Sequence, residues 1–333
     1  MPSAVIDNFL GQAEYADKVG SPFLANLCRL LAAKLDHTTR FGRKILEWPG
    51  DPRDDALALR ACAALHALAL SGWEPELKAA YPPAVFDEQH LWFLIRDVLS
   101  RHDNFLAGWL DRSPQTNEVG RSALVLGAAL HVVARTRLPI ELLEIGASAG
   151  LNLRFDTYRY RLGDGRAWGP ADSPLVIPCT WRGAIPPLSA TVTVAARSGC
   201  DRNPIDPAVP DDANRLLAYV WPDQTQRVTR LQTALAMARE DGNKVERADA
   251  ADWLEERLGQ RARPGTVRML FHTIVWQYLP PAGRSRIAAA LARAGGAATD
   301  DTPIAHFAFE PDGVADSAAM TLTLWPGGRA TRL

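Results

Sequence analysis

From Glu144 to Leu153 the chain reads Glu-Ile-Gly-Ala-Ser-Ala-Gly-Leu-Asn-Leu, an acid followed by small residues where an apolar run ends. Small residues at such a turn let backbone N–H groups approach a ligand. The run has two chemical readings. Counted with Glu144 it is acidic-x-Gly-x-x-x-Gly, a cradle for a nucleotide-like cofactor. Gly146, Ala147, Ser148, Gly150 and Asn152 then contact the cofactor, and Glu144 lies beneath its amino group. Counted from Gly146 it is Gly-x-Ser-x-Gly, a nucleophile elbow with Ser148 as the attacking group. A third reading needs no ligand: Gly146 and Gly150 simply make a tight turn.

The elbow requires several strands before the nucleophile, with an acid and a histidine after it. His306 and Asp249 or Asp252 supply those partners on paper, but here the loop follows the first strand, which is the wrong topology. The dinucleotide fingerprint fails because Ser148 and Leu151 stand at its second and third glycines. The cradle reading matches the first loop of S-adenosylmethionine-dependent methyltransferases, and other positions fall where that architecture needs them. Asp249, within Ala248-Asp249-Ala250-Ala251-Asp252, suits the acid that holds the adenine amino group, and equally suits a helix N-cap. Asp201 is the candidate for the ribose hydroxyls, several residues beyond an expected second strand at 191–195; Arg197 stands where an acid is expected. In His272-Thr273-Ile274-Val275-Trp276-Gln277-Tyr278, His272 is a candidate general base, Tyr278 a second catalytic candidate and Trp276 a wall of the acceptor pocket. The alternative is that these aromatic residues pack in the core beside a satisfied histidine. Gln115, Asn117, Glu118 and Arg121, within the polar stretch 113–122, are candidates to bind the acceptor; Ser113, Thr116 and Glu118 equally suit helix capping.

The elements that must position these residues fall into two halves. Residues 1–137 read as an all-α N-terminal domain. Ser21-Pro22 opens one helix, Asp51-Pro52 a second, a third starts near Asp87, and Ser113-Pro114 opens a fourth that runs through Leu130. From 138 to 333 strands alternate with helices, which predicts an α/β, doubly wound sheet of Rossmann type. Strands are expected at 140–145, 191–195, 267–271, 304–309 and 320–325. A helix is expected from Leu151, with others over 211–240, 250–258 and 284–294. An insertion at about 158–187 reads as a hairpin or small flap.

Composition excludes several classes. The 333 residues carry 37 Lys and Arg against 38 Asp and Glu, so no basic surplus points to nucleic acid. The longest apolar run, 122–134, is too short to span a bilayer, and the N-terminus lacks a basic and then apolar leader, which makes the cytoplasm the expected location. Four cysteines without a C-x-x-C and seven scattered histidines give neither a disulfide framework nor a metal site. Oligomeric state is not legible.

Across nearly its whole length the chain resembles a bacterial family, domain of unknown function 2332 (DUF2332). The resemblance rests on 113–122, 143–153, 158–168, Trp181-Arg182-Gly183, Asp201-Arg202-Asn203-Pro204, Val220-Trp221-Pro222-Asp223-Gln224 and Val275-Trp276-Gln277-Tyr278. It implies a Rossmann-type methyltransferase fold behind a helical N-terminal domain, and a longer C-terminal end than Thr331-Arg332-Leu333, with the last strand short or missing here. It gives the 115–121 cluster more weight and carries over no catalytic residue. The resulting expectation is a methyltransferase acting on a small molecule with S-adenosylmethionine as cofactor. A non-catalytic or regulatory protein of the same fold is the alternative, and a serine hydrolase using Ser148 stands behind both.

Overall fold

The computed structural model describes residues 4–182, 184–242, 244–314 and 317–333; Gly183 of the family motif lies outside them. The chain forms two compact units, the first made of everything up to Thr116 together with Val209–Gln232, the second of Asn117–Ala208 and Thr233–Leu333. The division therefore differs from the one expected at 137/138. Helix Ser122–Thr136 belongs to the second unit, and 209–232 returns to the first.

The first unit is helical throughout, as its apolar spacing predicts. Helix Leu57–Ser71 is its buried centre, with nearly every side chain from Leu57 to Ala69 removed from solvent. Helix Pro22–Lys34 opens with Pro at its start, but Ser21 does not cap it through its own side chain. Asp223, two hundred residues away in sequence, does so instead: it accepts from Phe23 N–H at 2.9 Å and from the Ser21 hydroxyl. Two expected starts move. Asp51 accepts from Arg53 and Asp54 N–H and closes a turn, and the helix begins only at Leu57 after the left-handed Ala56. Ser113-Pro114 opens no helix; the chain stays irregular to Val119–Arg121, a single 3-10 turn leading into Ser122–Thr136. At Asp51 the side chain closes a local turn that competes with helix initiation.

The second unit holds ten strands among the described residues: β1 Ile140–Ile145, β2 Arg159–Leu162, β3 Ala167–Trp168, β4 Val176–Cys179, β5 Val194–Asp201, β6 Glu246–Arg247, β7 Val267–Thr273, β8 Ile304–Pro311, β9 Ala318–Trp325 and β10 Arg329–Arg332. Seven form one mixed sheet in the order β10-β9-β8-β7-β1-β5-β6. The five from β8 to β6 are parallel; β9 is antiparallel to β8, and β10 to β9. The insertion after β1 forms its own small sheet, β3-β2-β4. Every residue of β7 is buried, as a parallel strand covered on both faces requires.

Three differences matter for the site. The second sheet strand is not 191–195 but β5, which ends at Asp201. No long helix follows the loop after β1; Asn152–Thr157 is a short 3-10 segment broken at Arg154 (φ −102°, ψ 16°). Arg197 explains part of this, since its guanidinium clamps Asp156 through two 3.0 Å bonds and the Leu153 carbonyl at 2.9 Å, fixing the segment against β5. The expected helix 211–240 is two, Pro210–Ala218 and Thr225–Asp241.

Candidate functional site

Strand order reverses at β1. The chain builds outward through β5 and β6 on one side, then crosses back to β7, β8 and beyond on the other. In open α/β sheets such a reversal leaves a crevice at the carboxyl ends of the strands, and ligands bind there. The loop after β1 lies at that edge, and the turn after β7 is its neighbour.

The loop is a sequence of left-handed residues. Gly146, Ser148 and Gly150 have φ of +69°, +54° and +67°, a region that costs roughly 1–2 kcal/mol for a residue with a Cβ. At Gly146 glycine is also required by packing, because an added Cβ would stand 2.5 Å from Val275 Cγ2. Ser148 tolerates its conformation because the loop is tied on every side. Ala147 N–H donates to Cys200 O (3.0 Å), Ser148 N–H to Asp201 Oδ2 (2.9 Å) and Gly150 N–H to Ala147 O (2.7 Å). Asn117 Oδ1 accepts from both Ala149 (3.2 Å) and Leu151 (3.0 Å). The N–H groups from 147 to 151 thus all have partners within the chain, where the cradle reading had them free for a ligand.

What the loop does present is buried polar side chains. Glu144 is 2% exposed, and burial pushes its carboxyl well above the usual carboxylate range; Asp201 adds to this, while Arg154 and Arg121 oppose it. Glu144 Oε2, Ser148 Oγ and Asn152 Oδ1 are buried with no hydrogen-bond partner among the described residues. Such atoms cost about 1–3 kcal/mol each unless something satisfies them, and a ligand or water is the general remedy. Around them, the buried Arg154 donates to Gly150 O at 2.8 Å and pairs with Asp241 at 2.9 Å, and Arg121 donates to Thr273 O at 3.0 Å. Asp201 uses its other oxygen to accept from Asn203 N–H at 2.8 Å. Among the described residues no imidazole pairs with Ser148, the arrangement a serine nucleophile needs.

The remaining candidates distribute as follows. Asn117 is buried and serves the loop. Glu118 accepts from Gly120 N–H at 3.0 Å, the capping role. Gln115 belongs to the first unit and is half-buried. Asp249 caps helix Ala250–Gly259, accepting from Ala251 (2.9 Å) and Asp252 (3.4 Å). Tyr278 is 73% exposed, whereas Trp276 is half-buried at the edge of the apolar cluster that covers this face of β1 and β7.

His272 is separated from Glu144 by the sheet itself. Glu144 pairs with Phe271, and side chains alternate between faces along a strand, so His272 and Glu144 point to opposite faces. On its own face His272 is 2% exposed, stacked on Trp276 (centroids 5.2 Å apart, planes at 16°), with Nδ1 2.6 Å from Glu310 Oε1 and Nε2 3.1 Å from His306 Nε2. Glu310 also accepts from Val275 N–H at 3.0 and 3.1 Å, which helps fix the turn that abuts Gly146. Sequence reasoning missed Glu310 altogether. It lies 38 positions from His272, and only the parallel register of β7 and β8 brings the two together.

Fold and site define an α/β protein with a helical unit and a switch-point loop lined by buried, unpartnered polar groups. The chain belongs to DUF2332, described as an uncharacterized protein conserved in bacteria, whose family model matches residues 7–333. No curated protein and no solved structure matches it.

Proposed function

We propose that this protein is a methyltransferase that uses S-adenosylmethionine to modify a small molecule. The observation that carries this reading is the acidic ending of two neighbouring parallel strands at the switch point: Glu144 near the end of β1 and Asp201 as the last residue of β5. The order β6-β5-β1-β7-β8-β9 corresponds to the 3-2-1-4-5-6 order of doubly wound nucleotide-binding sheets, with the sixth strand reversed. In such sheets an acid at the end of the second strand takes the ribose hydroxyls, the place Asp201 occupies.

The donor set fits such a cofactor in part. Asp201 would hold the ribose, Glu144 an amino group, and the orphaned Ser148 Oγ and Asn152 Oδ1 offer further polar contacts. The carboxylate end finds no open N–H between 147 and 151. When bound, the cofactor supplies a methyl group activated on a sulfonium. The protein's part is then to place the acceptor and exclude water, which is where most of the rate comes from in a displacement of this kind.

A second reading, a non-catalytic protein that keeps the fold, draws support from the fully bonded loop and from the short 3-10 segment that replaces a helix N-terminus. Titration calorimetry with S-adenosylmethionine and S-adenosylhomocysteine separates the outcomes. Saturable binding, weakened about tenfold in Glu144→Ala through loss of the hydrogen bond its carboxyl makes to the cofactor's amino group, is the expected result. Absence of heat at millimolar ligand overturns the methyltransferase reading, and binding without turnover across a metabolite panel favours the second.

A further inference from the structure

Two buried ring nitrogens 3.1 Å apart impose a constraint on His272 and His306. A hydrogen bond between two Nε2 atoms needs one proton between them, so one imidazole donates while the other accepts. At the far side of His272, Glu310 accepts from Nδ1–H at 2.6 Å and fixes that tautomer. With Nδ1 protonated, the neutral His272 presents a bare Nε2, and His306 must be the donor through Nε2–H. Both nitrogens of His272 are then occupied, and the ring is sealed under Trp276. His306 differs: it is half-buried, and no hydrogen bond engages its Nδ1 among the described residues. Burial and the neighbouring His272 push its pKa down to about 3, so a proton arriving there does not stay as an imidazolium.

We propose that Glu310, His272 and His306 form a proton relay in which His306 Nδ1 is the entry point and His272, the residue the sequence singles out, is the internal charge carrier. A proton bonds to His306 Nδ1 as the His306 Nε2–H bond breaks and a His272 Nε2–H bond forms. His306 ends neutral in its other tautomer. The positive charge ends on His272, against the Glu310 carboxylate. The incoming proton comes from solvent, where hydronium is left as water, because the sheet separates this face from Glu144. Glu310 is a positioning residue: it sets the His272 tautomer and, through Val275 N–H, holds the adjoining turn.

Charged groups from the elements around this face pair among themselves. Arg286 of helix Pro281–Gly296 pairs with Asp252 and Glu255 of helix Ala250–Gly259 at 2.7 and 2.5 Å, Arg257 with Glu246 at 2.5 Å, and Arg268 of β7 with Glu141 at 2.9 Å. Trp276 brings an uncharged indole, and β9 places Thr323 opposite His306.

The test is nitrogen-15 NMR of the full chain labelled at histidine, read through long-range couplings that report each ring's tautomer across a pH titration. The relay requires His306 to pass from the Nε2–H to the Nδ1–H tautomer as His272 becomes doubly protonated, both with one midpoint. In Glu310→Gln, which keeps an acceptor for Val275 N–H, that midpoint falls. In His306→Gln, whose amide can donate to His272 but cannot pass a proton on, His272 stays singly protonated over the same range. The proposal is overturned if His306 itself becomes doubly protonated, if its tautomer does not change, or if Glu310→Gln leaves the midpoint in place. None of these readouts depends on cofactor binding, so failure of the relay and failure of the methyltransferase reading are separately visible.

Discussion

Replacing Gly146 with alanine tests whether that glycine is dictated by packing. The residue sits at φ +69°, and the new Cβ would meet Val275 Cγ2 at 2.5 Å and Cγ1 at 2.8 Å. The left-handed conformation costs alanine roughly 1–2 kcal/mol, and forcing a methyl into a filled site about 1–3 kcal/mol. The stiffer unfolded chain returns roughly 0.4–1 kcal/mol. A net loss of about 1–5 kcal/mol follows from these terms together. The two contributions separate in a double-mutant cycle, because Val275→Ala removes both clashing methyls and leaves only its Cβ, 3.2 Å away. In that background Gly146→Ala should cost only the backbone strain, which gives a coupling of about 1–3 kcal/mol between the two sites. Equilibrium urea unfolding by circular dichroism measures all four proteins, and constant slopes ensure that stability alone is compared. A coupling below about 0.5 kcal/mol, the ordinary error of additivity, would refute the packing argument and return Gly146 to the ligand.

Three further outcomes follow from particular contacts. Asn117→Ala strands the N–H groups of Ala149 and Leu151 and should cost about 2–4 kcal/mol, while Asn117→Asp, which keeps the acceptor, should cost less; urea midpoints decide. Asp223→Ala removes the remote cap of helix Pro22–Lys34 and should cost about 0.5–2 kcal/mol, and hydrogen exchange at Phe23 should quicken first; unchanged exchange there would count against the cap. Glu144 is an acid whose folded pKa is raised by burial, so its contribution to stability is complete below the ordinary glutamate range and is lost as pH rises through the raised value. Glu144→Gln should therefore track the wild type at low pH and become the more stable protein as pH increases; parallel pH profiles would contradict the assignment.

Much of the architecture is written locally. Helical spacing of apolar residues in the first hundred positions, and short apolar runs separated by helices after 138, are enough for an α-helical part followed by an α/β sheet, because burial of one face or of both is encoded in periodicity. The loop at 144–153 is legible for the same kind of reason: glycine is the residue that enters left-handed backbone without cost. The family motifs likewise lie in the linear chain. Pairings between distant segments were not legible. Nothing near Ser21 announces that Asp223 caps its helix, and nothing near His272 announces Glu310. Strand β5 ended later than its apolar content suggested, because pairing with β1 carries it through Arg197 and Ser198 to Cys200 and pairing with β6 adds Asp201. That extension turned a late acid into the terminal residue of its strand. The opposite facing of Glu144 and His272 was also decided by register, since a one-residue offset between parallel strands exchanges the faces. Sequence determined which residues are able to do chemistry; which of them meet, and on which side of the sheet, depended on long-range backbone pairing that no local pattern contains.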